Sequence, residues 1–562
     1  MTTSEASFTV DSSPRPVHDR RIALNNAARC DAVVVGGGHN GLVAAFYLAR
    51  AGMRTLVLER RPFVGGCCVT EEFAPGYRAS TGAYVLSMLR GSIWDDMRLA
   101  QRGLTVDPAG PSLNLFADGT TFLLDDHIDR TIEEIRRFSA RDARVFGEFE
   151  TALGTMAEAI SPLFDTTPPD PGNLRPRQLL GLGRLGGRAL RHRRSLVDFA
   201  YLFSTSVTQY LDEWFESDHF KAALGWHAIN DSTAGPGTLG TAYVLLHDHA
   251  AEEAGGGVRQ WGFVRGGIGT VTQLMADAAR EAGAEIRTDA PVARVLSDGE
   301  RAVAVELESG EVVEAAAVLS NADPLHTFLA LCDSADLPEP FLRAIRAYRC
   351  TGTSIKINLA VDRLPVAAAM GGNGEVHDYQ RGIMEVTSTL AEMDRAQDFA
   401  RAGRRAPEPH IELCIPTVHD ASLAPDGHHV VTIDVNSQPY DLADESWDDV
   451  REQAADRAIA QLEPLFPGLS ASILHRQVLS PLDLERVLGI SGGHALHGEM
   501  AADQLFTLRP VRGWATYRTP LDGLYLCGAG THPGGGVTGA NGRNCAREVL
   551  HDRRGPRLRM RR

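Results

Sequence analysis

Residues 33–61, VVVGGGHNGLVAAFYLARAGMRTLVLERR, decide the fold class of this chain. The stretch has the pattern of a buried strand, a glycine turn, a helix and a second buried strand ending in Glu59. The spacing Gly36-x-Gly38-x-x-Gly41 at the first turn therefore predicts a Rossmann-like unit that binds a dinucleotide. In such a unit the glycines allow a tight turn, a close approach of the main chain to a pyrophosphate, and close packing of helix on strand.

The residues around Glu59 indicate which dinucleotide is bound. A carboxylate there accepts hydrogen bonds from a ribose and repels a 2′-phosphate, which favours FAD or NAD over NADP. Gly65 and Gly66 follow soon after, as expected of a chain that folds back along a long cofactor. We therefore expect FAD, with His39 and Asn40 of the first turn beside it.

A second glycine-rich turn near the C-terminus, GLYLCGAGTHPGGGVTGANG, is also flanked by a strand and a helix. We expect Gly530, Gly536 and Val537 to lie against the flavin ring. A helix starting near Val537 would point its positive N-terminus at the charge of the reduced flavin. A short strand around Val292, in RTDAPVARV, is expected to pass the adenine.

Composition excludes several classes of function. The net charge of −16 over 562 residues argues against binding to nucleic acid. None of the eight cysteines forms a C-x-x-C pair, so a reduced intracellular protein with Cys67 and Cys68 as packing residues is expected. No apolar run is long enough to span a membrane. These features predict a cytoplasmic protein or, in a eukaryote, one of the mitochondrial matrix.

Six stretches together resemble the phytoene desaturase-like flavoproteins, and within them the family of pyridine nucleotide-disulfide oxidoreductase domain-containing protein 2. They are VVGGGHNGLVAAFYLARAG, LERRPFVGGCCVTEEFAPGYRAS, VRGGIGTVTQLMADAAREAGAEI, VLSNADP, GGHALHGEMAADQLFTLRP and LYLCGAGTHPGGGVTGANGRNCA. The resemblance covers about residues 30–550. It implies FAD contacts at Gly36, Gly38, Gly41, Glu59, Arg60, Gly65, Gly66, Val292, Gly536 and Val537. Two features depart from related flavoproteins: the chain lacks paired redox cysteines, and Gly528-Ala529-Gly530 stands where many carry Gly-Asp.

The resemblance also implies an α/β fold of the amine oxidase and phytoene desaturase type. In it a Rossmann-like FAD-binding domain is interleaved with a mixed α+β substrate domain. The expected division is a flexible leader at 1–29, an FAD domain at 30–95, 255–325 and 485–552, a substrate or lid domain at 96–254 and 326–484, and a basic tail at 553–562.

Two residues are candidates for catalysis. His532 follows Gly530 closely and has either a chemical role or a role in orientation and packing. Lys356 lies in SIKINLAV, within a predicted half-buried strand at 352–362, and is either close to the flavin or a solvated strand residue. His494, His497 and Glu499 could mimic a metal triad, but nothing around them supports one, and no metal is expected.

The expected activity is FAD-dependent dehydrogenation, or isomerisation, of a hydrophobic or polyene-like small molecule, a substrate class that comes from the resemblance. The expected electron acceptor is oxygen, a quinone or another protein, because no second dinucleotide fold for NAD(P)H is present. Amine oxidation on the same fold and a lipid-binding regulatory role without turnover are the alternatives. The arginine-rich stretch 174–194 is either a solvated helix face or a patch that contacts a membrane surface. A homo-oligomer is compatible with the sequence.

Overall fold

The computed structural model describes residues 28–170, 193–229, 231–253, 261–371 and 375–554. In these residues the strands β1 to β18 lie, in chain order, at Ala28–Val35, Thr55–Leu58, Thr70–Ala74, Tyr77–Ser80, Val106–Pro108, Ser112–Phe116, Thr121–Leu124, Gly262–Val264, Glu285–Arg287, Val292–Ser297, Ala302–Leu307, Val312–Ser320, Ile355–Val361, Met384–Thr387, Ile411–Cys414, His429–Val435, Ile473–Leu479 and Leu524–Leu526.

The α-helices of the same residues are numbered α1 to α15. They lie, in chain order, at His39–Arg50, Gly91–Asp96, Ile128–Arg136, Ala140–Phe164, Arg193–Ser204, Val207–Trp214, Asp218–Gly225, Thr241–Glu253, Gly269–Glu281, Glu339–Arg346, Leu390–Arg401, Trp447–Leu462, Leu469–Ser472, Pro481–Leu488 and Ala540–Arg554.

The first sheet has the order β10-β11-β12-β1-β2-β9, with β18 also paired to β12. Strands β18, β12, β1, β2 and β9 are parallel, and β10 and β11 extend the sheet as an antiparallel pair. Helices α1, α9 and α15 contribute to the apolar cluster on one face. This arrangement explains the continuous apolar runs of β1 and β2, since a parallel sheet is covered on both faces. The predicted Rossmann-like unit is confirmed.

The second sheet has the order β17-β13-β16-β15-β14-β6-β7 and is mixed, because β14 and β6 run parallel. Helix α12 packs on its apolar face. A separate aromatic-rich cluster is formed largely by helices α4 and α6 to α8. The chain enters this part between the first and last strands of the first sheet. The predicted interleaving of an α/β domain with a mixed α+β domain is confirmed.

Several local predictions differ from the structure. The strand predicted at 352–362 to be half-buried is β13, in which every residue is buried, because its polar face is also covered. Residues 326–347, assigned to the substrate domain, instead pack against the first sheet through Phe328 and Phe341. Strand β1 begins at Ala28, inside the predicted leader.

Three predicted segments lie wholly or mainly outside the described residues. They are residues 1–27 of the leader, 174–192 of the arginine-rich stretch and 555–562 of the basic tail. Within the described residues, none of the helices combines the length and hydropathy that crossing a bilayer requires.

Candidate functional site

The first glycine turn joins β1 to α1 and brings main chain against main chain. Gly36 has a φ of +96°, and Gly38 is the N-cap of α1. A Cβ added at Gly41 would lie 2.3 Å from the carbonyl oxygen of Gly36. The third glycine is therefore required by contact within the protein, as the fingerprint predicts for helix–strand packing.

The second glycine pair folds back onto this turn. The Gly65 amide donates to the carbonyl oxygen of Gly37 at 2.9 Å, and Gly65 itself has a φ of +143°. Asn321, at the end of β12, closes the other side: a Cβ added at Gly38 would lie 2.8 Å from its Nδ2. Sequence reasoning missed Asn321, although its position directly after a buried strand was a usable signal.

Glu59 ends β2 and holds the turn as well as facing the cavity. Its Oε2 accepts from the Gly37 amide at 2.7 Å, and its Oε1 accepts from the Arg61 amide at 2.9 Å. The side chain of Arg60 turns to α14, where its Nη2 donates to the Val487 carbonyl at 2.8 Å. Glu59 is therefore fixed in place with its carboxylate at the cavity wall.

The C-terminal glycine turn meets the first one. A Cβ added at Gly542 would lie 2.0 Å from the carbonyl oxygen of Asn40, so α1 and α15 touch main chain to main chain near their N-termini. Gly536, with a φ of +88°, and Val537 line the same cavity as Gly38. Helix α15 begins at Ala540, three residues after the predicted start near Val537.

A cavity of about 580 Å³ runs from these two turns into the substrate domain. It is lined by most of the predicted cofactor residues, namely Gly36, Gly38, His39, Asn40, Glu59, Arg60, Gly66, Val292, Gly536 and Val537. Gly41 and Gly65 lie behind the wall in the packing contacts described above. Gly530 packs instead on Pro324, since a Cβ there would lie 2.4 Å from its Cδ.

The far part of the cavity wall contains Lys356, which is only 3% exposed. Its Nζ lies 3.7 Å from the centroid of the Tyr84 ring and 3.8 Å from Oδ2 of Asp434. Burial lowers the pKa of Lys356, and the nearby carboxylate opposes that shift. The interpretation of Lys356 as a solvated strand residue is wrong, because the face of β13 that carries it is covered.

His532 occupies a different place. Its Nε2 lies 2.9 Å from the Leu163 carbonyl oxygen, and its ring packs at 5.6 Å from that of Phe506. Burial lowers its pKa to about 4. These contacts favour the alternative in which His532 orients and packs the C-terminal turn.

Two cysteines and a histidine complete the wall beside the first turn. Cys67 and Cys68, expected to be packing residues, both line the cavity. They are not bonded to each other, and burial raises the pKa of Cys67 to about 12, so the thiol is neutral at physiological pH. His39 is also kept neutral, because burial lowers its pKa to about 4.

The cavity fits a long dinucleotide. Two helices begin at its wall, and helix N-termini favour phosphate and other negative charge. The buried His39 Nε2 and Asn40 Oδ1 have no hydrogen-bond partner among the described residues, although both side chains line the cavity. Gly36, Gly38, Gly66 and Gly536 present bare main chain to the same space. These residues would hold the pyrophosphate and the ring.

A parallel sheet and a mixed sheet that share one cavity, walled by two glycine turns, define a flavin-dependent oxidoreductase of two interleaved domains. The model of the flavin containing amine oxidoreductase family matches residues 41–550, and the chain belongs to this family. FAD is its cofactor.

The most similar curated relatives include pyridine nucleotide-disulfide oxidoreductase domain-containing protein 2 of Rattus norvegicus. This protein is 39% identical over 548 residues, which are 93% of each chain. A limonene dehydrogenase polypeptide of Castellaniella defragrans is 27% identical over 94% of this chain and 96% of its own. A solved oxidoreductase from Methanosarcina mazei has a TM-score of 0.59 at 15% identity, covering 92% of this chain and 99% of its own. The predicted resemblance is confirmed.

Proposed function

We propose that this oxidoreductase dehydrogenates a hydrophobic small molecule, passing a hydride to FAD and a proton to a base at the far part of the cavity. The observation that carries the proposal is the single cavity in which the glycine turns and the buried Lys356 share one wall. Desaturation needs little more than positioning and a proton acceptor. The name of the limonene dehydrogenase relative supports a hydrocarbon substrate.

Lys356 is the base in this proposal. When bound, FAD supplies the two-electron acceptor. A buried amine with a lowered pKa is neutral over a wider pH range than a surface lysine, so it can accept a proton from carbon. The Tyr84 ring face stabilises the ammonium that forms, and Asp434 lies within 3.8 Å of it.

The cavity also bounds the substrate. Pockets of about 300–1,000 Å³ hold one drug-sized ligand. Because FAD takes up most of the 580 Å³, the remaining space suits a small molecule or one end of a longer one. Amine oxidation is less well supported: of the residues lining the described cavity, Tyr84 is the only phenylalanine, tyrosine or tryptophan, so an aromatic cage is lacking.

Anaerobic reduction of the FAD-loaded protein tests the proposal. Cyclic and linear terpene hydrocarbons are mixed with it beside amines of the same carbon skeleton, and the flavin absorbance is followed. We expect a hydrocarbon to bleach the flavin and its matched amine to leave it oxidised. Reduction by the amine alone would establish amine oxidation. If dithionite bleaches the flavin and no member of either series does, the protein is a flavin-binding protein without this turnover.

The same preparation identifies the acceptor. We propose that oxygen or a quinone reoxidises the flavin. Reduced protein is mixed with oxygen, a soluble quinone or NADP⁺, and the return of flavin absorbance is timed. Reoxidation by NADP⁺ faster than by the other two would contradict this part of the proposal.

A further inference from the structure

One face of the second sheet carries a row of ionisable side chains across four neighbouring strands. Lys356 on β13 is directly opposite Asp434 on β16, and Asp434 is opposite Glu412 on β15. Glu412 is in turn opposite Glu385 on β14. Side chains directly opposite one another have Cβ atoms about 4.5–5.5 Å apart. We call these four residues the charged row.

The charged row is buried and poorly paired. Lys356 and Glu412 are 3% exposed and Glu385 is 1% exposed, whereas the side chain of Asp434 is 23% exposed. Each of the four has a buried polar atom without a hydrogen-bond partner among the described residues: Lys356 Nζ, Asp434 Oδ1, Glu412 Oε1 and Glu385 Oε2. Burying several unpaired charges is very costly, so three carboxylates and one ammonium cannot all be ionised together. Part of the row must hold protons.

Only one end of the row reaches the cavity. Lys356 and Asp434 line it, whereas Glu412 and Glu385 lie behind its wall. A ligand therefore cannot extend along the row. Among the described residues there is also no group of three or more metal-binding side chains placed to hold an ion. What remains for the inner carboxyl groups to exchange is protons.

The inner end of the row leads away from the cavity. Oε2 of Glu385 lies 4.0 Å from Nε2 of His410, whose ring stacks on Trp226 at 3.7 Å between centroids. His227, the residue after Trp226, is close enough for its charge to affect His410 and is partly exposed. Ionisable groups thus continue from the cavity to a partly exposed histidine.

We propose that the charged row is a buried proton relay, which takes the proton released by substrate oxidation from Lys356 and passes it through Asp434, Glu412 and Glu385 toward His410. The inference rests on the proposed dehydrogenation. In that step one C–H bond breaks with its electron pair, which leaves as hydride for FAD. The neighbouring C–H bond leaves its electron pair to form the C=C bond, and its proton binds the Lys356 amine. Transfer to the row restores the neutral amine, and His227 releases a proton to solvent.

The surroundings suit a relay that works near neutral pH. Burial raises the pKa of both Glu412 and Glu385 to about 8, and for Glu412 the neighbouring Asp434 adds to the shift. Other titratable groups that face the row are Cys414, Asp231, His410 and His227. Burial raises the pKa of Cys414 to about 12 and keeps both histidines neutral, so none of these three carries charge at pH 7.

The first test is an infrared titration of the FAD-loaded protein without substrate. Glu412→Gln and Glu385→Gln keep side-chain shape but cannot carry a carboxyl proton, and Glu158→Gln, at an exposed position on α4, is the matched control. We expect a protonated-carboxyl band that disappears as pH rises through about 8. Each row variant should remove part of that band, and Glu158→Gln none of it. A spectrum without the band at pH 7, or a band unchanged in both row variants, overturns the proposal whatever the substrate.

The second test uses a substrate that reduces the flavin. In Glu412→Gln we expect reduction to slow about tenfold or more, with proton release to an indicator dye delayed to the same extent. FAD content should equal that of the wild type. Wild-type rates of reduction and release in Glu412→Gln would overturn the relay and leave the dehydrogenase proposal standing. If no substrate reduces the wild-type flavin while the infrared band titrates, the dehydrogenase proposal fails instead, and the row is retained only as a buried proton store.

Discussion

At the scale of single residues, Gly38 combines two restrictions on side-chain size. It lines the cavity, and a Cβ there would lie 2.8 Å from Asn321 Nδ2. Asn321 can shift, but the remaining atoms of a valine would occupy space that the pyrophosphate needs. We expect Gly38→Val to weaken FAD binding at least tenfold, about 1.4 kcal/mol. Bound flavin per protein after gel filtration measures this, with Gly154→Val, which has open space around it, as control. Equal flavin content in the two variants would contradict the assignment of the first turn.

Lys356 is predicted to act on the reaction and not on cofactor binding. Lys356→Met keeps most of the apolar stem but removes the amine that accepts the proton. We expect FAD content to stay at the wild-type level while anaerobic reduction by substrate slows about 10²–10⁴-fold, the usual contribution of a general base. Because the base works in its neutral form, the wild-type rate should rise with pH through the lowered pKa of Lys356. A variant that keeps this pH dependence would show that another group is the base.

At the scale of elements, the crossing of α1 and α15 fixes the two glycine turns relative to each other. Alanine at a helical glycine ordinarily stabilises by about 0.5–1 kcal/mol. Gly542→Ala should do the opposite, because its Cβ would lie 2.0 Å from the Asn40 carbonyl oxygen, a main-chain atom that cannot move alone. Gly154→Ala in α4 should show the ordinary stabilisation. Thermal unfolding of the FAD-free proteins compares them, and a stabilised Gly542→Ala would mean that the helices do not cross this closely.

The same elements show what sequence can predict. The βαβ unit around Gly36, Gly38 and Gly41 was predictable because its residues are adjacent in sequence and each glycine answers a local steric need. Asn321 and Lys356 were harder, since their roles arise from strands paired across hundreds of residues. The alternating pattern of β13 favoured a half-buried strand, as sequence cannot show that a polar face is covered by other elements. Sequence therefore indicated the cofactor end of the cavity well and the far end poorly.

At the scale of the whole molecule, the buried carboxyl groups of the second sheet should make stability depend on pH. Burial raises the pKa of Glu385 and Glu412 to about 8 in the folded protein, above the usual 4.5. A folded state that binds protons more tightly than the unfolded chain is stabilised by low pH. This stabilisation is complete below about pH 4.5 and is lost as pH rises through about 8. Other groups add their own dependence, so the effect is isolated by removing these two carboxyl groups.

The double variant Glu385→Gln/Glu412→Gln stays neutral at every pH and should lose this dependence. Between pH 6 and pH 9 we expect the wild-type Tm to fall relative to that of the variant by at least about 2–4 °C, the shift that 1 kcal/mol gives in a domain of 150–250 residues. Calorimetry at several pH values measures the difference, and Glu158→Gln should follow the wild type because its side chain is exposed. Parallel Tm curves for wild type and double variant would show that both carboxyl groups titrate at ordinary pH despite their burial. The second sheet would then hold no proton at neutral pH, and neither this pH dependence nor the relay could stand.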